Sequence, residues 1–198
     1  MKIGRFATQL AHSVIAVLVL ASGSPSLALA NEEQPQSTTS LHHDQKDRAG
    51  ALVKIVREST ERFRNVWAAE AEGYALQFGC VSGSDAGAMG LHYVNGALVS
   101  AGVLDATRPQ IVIYEPTPNG TPRLIGADYL VLAKEWDATH SAPPQLMGQL
   151  FHLFESPNRF GLPAFYTLHV WAWKDNPTGM FVNWHTNVSC EAFAGQNP

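Results

Sequence analysis

The chain has 198 residues, 45% of them hydrophobic and 15% charged, with a formal net charge of −4. That apolar share is enough to bury one core, and an acidic balance without a basic stripe or patch excludes nucleic acid as an expected partner.

Met1 to Ala30 carries Lys2 and Arg5, an apolar run centred on Val14 to Ala21, and small residues ending Ala28-Leu29-Ala30. This order predicts a secretory signal peptide cleaved near Ala30, and hence a periplasmic or extracellular protein. The apolar run falls short of the ~20 residues a membrane span needs, and no later stretch comes close, so no membrane partner is expected. Cleavage leaves roughly 168 residues, one domain's worth. Without Lys2 and Arg5, 11 basic residues face 17 acidic ones, a net charge of about −6. The two cysteines, Cys80 and Cys190, predict a disulfide, since the expected compartment is oxidising and an even count leaves no orphan thiol.

Residues 31–41 are too polar to bury a core and predict a disordered leader, with a single α+β domain over 42–198. His42 and His43 at its border read as solvated residues. Leu52, Val56, Phe63, Val66 and Trp67 then recur at three- and four-residue spacing with charges between them. They predict one amphipathic helix stopped near Gly73, on the order of 37 Å long and able to lie across a sheet.

Beyond Gly73 short apolar or alternating runs alternate with Gly, Pro and Asn. Strands are expected near Tyr74 to Val81, Met89 to Val94, Gln110 to Tyr114, Arg123 to Ala133, Phe165 to Trp173 and Met180 to Trp184. Asn119-Gly120 between the third and fourth signals an antiparallel hairpin. The Gly-rich stretch Gly79 to Gly90 matches no phosphate or dinucleotide motif and reads as a hairpin connection. Gln145 to Phe154 predicts one or two helical turns. The whole describes an α+β fold, a long N-terminal amphipathic helix packed on a curved, mostly antiparallel sheet of about 5–6 strands.

Alternation along Phe165 to Trp173 puts Phe165, Thr167, His169, Trp171 and Trp173 on one face and Tyr166, Leu168, Val170 and Ala172 on the other. Met89-Gly90-Leu91-His92-Tyr93-Val94-Asn95, Tyr114-Glu115-Pro116, Leu168-His169-Val170-Trp171-Ala172-Trp173 and Asn176-Pro177 resemble a family of uncharacterised exported bacterial proteins over roughly the last 120 residues. The resemblance implies export and that these stretches form one unit. Where that pattern has Trp-Asn-Pro, this chain has Trp184-His185-Thr186, so His185 ranks below His92 and His169 as a site residue.

His92, Glu115, Asp128 and His169 each stand at a strand position whose neighbours are core residues. Gly126 would leave room beside Asp128. An unpaired buried carboxylate costs several kcal/mol, and no Lys or Arg sits inside these apolar runs. Two imidazoles with one or two carboxylates are a ligand set for Zn, Fe(II) or Mn. Three arrangements answer to this pattern. The four residues bind a divalent metal, with His92, His169 and Glu115 as ligands and Asp128 as fourth ligand or supporting base. Alternatively they orient a small molecule in a metal-free pocket between helix and sheet, its aromatic walls including Tyr93, Tyr129, Trp171 and Trp173. Or the histidines are core residues bonded to the carboxylates. His140 and His152 read as surface.

Overall fold

The computed structural model describes residues 38–83 and 85–195; the expected signal peptide and most of the expected leader lie outside them. Helix α1 spans Thr38–Thr60 and so begins four residues inside the stretch expected as leader. Its inward side is Ala49, Leu52, Val56 and Thr60, all buried, while Lys54 and Glu58 pair on the exposed side at 3.7 Å. His42 and His43 are exposed on it.

The single long helix expected from the spacing is in fact broken. A 3-10 turn, Glu61–Arg64, follows α1, and α2, Val66–Ala71, begins anew where the Asn65 side chain accepts a hydrogen bond from the Trp67 backbone N–H at 3.1 Å. The turn changes the phase of the helix. Phe63, Val66 and Ala69 face inward, and Trp67, expected on the apolar stripe, is 73% exposed.

Five strands follow the expected positions: β1 Tyr74–Ser82, β2 Ala88–Asn95, β3 Ile111–Glu115 and β4 Arg123–Leu132, and Phe165–Val170, numbered β8 below. Helix α3, Gly96–Ala101, follows β2, and α4, Ala133–Asp137, follows β4. β3 and β4 pair antiparallel about the Asn119-Gly120 turn, in which Gly120 has φ +78.

Gln145 to Phe154 is strand and turn where helix was expected. β5 Gln145–Leu146 pairs with β6 Gln149–Leu150. Met147 and Gly148 between them both have positive φ, 49 and 80, the signature of a two-residue hairpin turn. β7, His152–Phe154, then pairs with β8. The main sheet is antiparallel throughout, in the order β1-β2-β3-β4-β8-β7.

Met180 to Trp184 forms no strand. The Met180 carbonyl accepts from Trp171 N at 3.0 Å, that of Val182 from Trp171 Nε1 at 2.7 Å and that of Trp184 from Asn176 Nδ2 at 2.8 Å. Two of these donors are side chains, so the segment's backbone is satisfied without a ladder. The residue after it, His185, bridges to Ala88 of β2 and not to the first strand. The disulfide Cys80–Cys190 closes nearby, with Cα atoms 5.7 Å apart.

Tyr166, Leu168, Val170 and Ala172 pack with Leu52 and Val56 of α1, and three side-chain bonds fasten the helical layer to the sheet. Tyr114 OH donates to Phe63 O at 2.7 Å, Trp173 Nε1 to Thr60 Oγ1 at 3.0 Å, and Arg57 Nε to Ala172 O. The described residues belong to one compact unit. No helix among them is long and apolar enough to cross a membrane.

Candidate metal centre

The face of β8 turned away from α1 carries Phe165, Thr167 and His169, as the alternation predicts, and these line a cavity of about 30 Å³. This cavity lies on the side of the sheet away from α1, not between helix and sheet where a pocket was expected. Asp128 of β4 stands directly opposite His169. His92 of β2 reaches the same cavity across Ile113, its cross-strand partner on β3. The three side chains are 2 to 6% exposed, and one donor atom from each lies within 4.8 Å of the others.

Each of the three is oriented or left open in a way that bears on binding. His92 Nδ1 lies 3.2 Å from the Gly90 carbonyl; the carbonyl only accepts, so Nδ1 carries the proton and Nε2 keeps its lone pair. Metal-binding histidines are commonly fixed by such a bond from the other ring nitrogen. Gly90 has φ +88, and a Cβ there would meet the Tyr114 carbonyl at 2.5 Å, so only glycine lets the chain present its carbonyl in this way. Thr167 Oγ1 donates to Asp128 Oδ1. Neither ring nitrogen of His169 has a hydrogen-bond partner among the described residues, although both are buried. Its Nδ1 stands 3.7 Å from Asp128 Oδ1, too far for a hydrogen bond.

Burial dominates the electrostatics. It pushes His92 down to about 4, with the charge of His169 adding and those of Asp128 and the Gly90 bond opposing. His169 falls to about 3, by burial first and His152 second; Asn183, outside hydrogen-bonding geometry, opposes both. Asp128 is pushed up to about 6 by burial, against the Thr167 hydrogen bond and the nearby His92. Near pH 7 the cavity thus holds two neutral imidazoles and one carboxylate anion. These are the protonation states a metal ion requires of its ligands. Ligands about 2.1 Å from one ion stand at most ~4.2 Å apart, so binding would draw the widest pair of donors together.

Glu115 does not join the cluster. Burial alone would raise its pKa, but hydrogen bonds from Lys174 and Arg123 overcome it and hold the carboxylate below its ordinary value. Arg123 is its cross-strand partner at the first position of β4, and Lys174 follows β8. The cations that the apolar runs lack come from just beyond them. The space beside Gly126 is also taken, since a Cβ there would lie 2.7 Å from the Val170 carbonyl.

The four expected aromatic wall residues stand elsewhere. Tyr93 packs edge-on against Tyr114 at 5.0 Å, Tyr129 OH donates to Ala106 O at 2.6 Å, and Trp173 packs at the helical layer. Trp171 lies between the rings of His169 and His185, at 5.6 and 5.0 Å. Phenylalanines wall the cavity instead: Phe78, Phe154, Phe160 and Phe165. Phe78 lies within the first expected strand, where nothing in the periodicity singled it out, and Phe160 comes from the loop before β8. Thr167 was marked, by sharing a face with His169. His185 is fully buried, its Nδ1 accepting from Asn187 N at 3.1 Å. His140 is exposed and stacked on Trp136 at 3.8 Å, and His152 is exposed on β7.

Comparison of the chain with protein-family models, with curated proteins and with solved structures finds no match.

Proposed function

We propose that this is an exported protein that holds one divalent metal ion between His92, Asp128 and His169. The observation that carries the reading is the convergence of three buried donor atoms from three separate strands within 4.8 Å, with neither nitrogen of His169 otherwise partnered among the described residues. A buried polar atom without a partner costs about 1–3 kcal/mol, and a lone buried carboxylate more. One cation relieves both costs at once. Two histidines and one carboxylate leave coordination positions open, the arrangement used by Fe(II) oxygenases and, with water in the open position, by hydrolytic metal centres. Export is supported by the disulfide, which persists in oxidising compartments, and by the leader's composition.

The test is elemental analysis of protein purified without an affinity tag, followed by chelation and thermal unfolding. About one Zn, Fe or Mn per chain and a lower unfolding temperature after chelation are expected, with the ion lost in His169→Ala and kept in Glu115→Gln, whose carboxylate serves an ion pair. Absence of stoichiometric metal after reloading, with no change in unfolding temperature, would sink the reading.

A further inference from the structure

The cavity at His92, Asp128 and His169, about 30 Å³, has room for an ion and on the order of one or two waters, and none for an organic molecule. A second chamber of about 310 Å³ stands against it. Phe78, Ile111, Leu130 and Leu162 line both volumes, so they meet back to back across one layer of side chains. The remainder of the chamber comes from Gln77, Val94 and Leu132 of the strands and from Gly96, Val99 and Ser100 of α3, and no charged side chain lines it.

Phe78 is unusual within this dividing layer. Its φ is +63, a conformation that costs a non-glycine residue roughly 1–3 kcal/mol and that tends to be kept where function requires it. The strain arises at the irregularity between Gln77 and Cys80, where β1 departs from its register with β2. There the Phe78 ring stands edge-on to Phe160 at 5.4 Å and lines the cavity.

We propose that the larger chamber is the substrate pocket of the metal centre, that it takes an uncharged, largely apolar small molecule, and that Phe78 is the partition between that molecule and the ion. The proposal rests on the metal reading above. The chamber's volume is at the low end for small-molecule sites, which suits a single substituted ring or a short aliphatic compound. Its lining offers no counter-charge to an ionic substrate.

Toluene is the probe. Its proton relaxation is measured with the full-length protein loaded with Zn(II) and, separately, with Mn(II). The expected result is saturable binding to both forms, with strong relaxation enhancement in the Mn(II) form alone. Val99→Trp, which fills the chamber, should abolish binding. Phe78→Gly, which suits a positive φ and removes the partition, should increase the enhancement. If the ions load and toluene does not bind, or relaxes alike in both forms, the substrate pocket is overturned while the metal centre stands. Unchanged enhancement in Phe78→Gly would remove Phe78 as the partition. If neither ion loads, the metal reading fails and this inference fails with it.

Discussion

His92, Asp128 and His169 were legible as polar residues among strand neighbours that had to be core, because burying such a group alone is costly and so implies a partner. Glu115 met the same criterion and has a different partner. Its cations, Arg123 and Lys174, stand at the margins of the apolar runs, where pairing depends on register and on the path of the chain after β8. The burial that identified the histidines also fixes how stability responds to acid. His92 at about 4 and His169 at about 3 lie below their unfolded value of 6.5. The unfolded chain therefore takes up these protons first, and stability falls as pH drops from 6.5 toward 4. Asp128, raised to about 6, works in the opposite sense between about 6 and 3.8. Two groups outweigh one, so the chelator-treated protein should lose on the order of 3 kcal/mol between pH 7 and pH 4. Urea midpoints across that range check the sign, and a midpoint that rises toward pH 4 would contradict these environments.

β8 shows what a strand's period of two accomplishes here. Its even-numbered residues, Tyr166, Leu168 and Val170, meet α1, and its odd-numbered ones, Phe165, Thr167 and His169, line the cavity shared with His92 and Asp128. The alternation alone was enough to read both faces. It could not say which face met the helix, because both are apolar and buried. The helical layer was less legible, since the spacing of Leu52, Val56, Phe63 and Val66 runs through a break set by one capping side chain, Asn65. The two faces of β8 should separate experimentally. Thr167→Val removes the hydrogen bond that orients Asp128 and should weaken metal affinity about 10- to 100-fold with little loss of fold. Leu168→Ala should cost about 2–5 kcal/mol of stability and leave one ion bound per chain. Paired metal titrations and urea unfolding of the two variants would show whether the effects fall on opposite readouts; equal loss of affinity in both would contradict the division.

Over the whole molecule, the hairpins of the sheet and the C-terminal segment are placed by different kinds of contact. The β1–β2 and β3–β4 connections are short enough to be read from turn residues, whereas the C-terminal segment is placed by long-range bonds from Trp171 and Asn176 and by the bridge of His185 to Ala88. No local pattern encodes those contacts, which is why a sixth run of strand-like residues proved to be coil. The disulfide spans a sequence separation of 110 residues, and the chain-entropy account gives such a loop about 4–5 kcal/mol. Reduction should therefore lower the unfolding midpoint markedly in calorimetry. A midpoint indifferent to reductant, or two thiols titrated in the unreduced, unfolded protein, would contradict the bridge.

The central claim is the position of one ion, and anomalous scattering from crystals grown with Zn(II) locates it directly. The account predicts a single strong peak bonded to His92 Nε2, a ring nitrogen of His169 and the Asp128 carboxylate, at about 2.0–2.2 Å from each. A peak at the surface histidines His42 and His43 with none at the cavity, or no peak in protein shown to be folded, would contradict it.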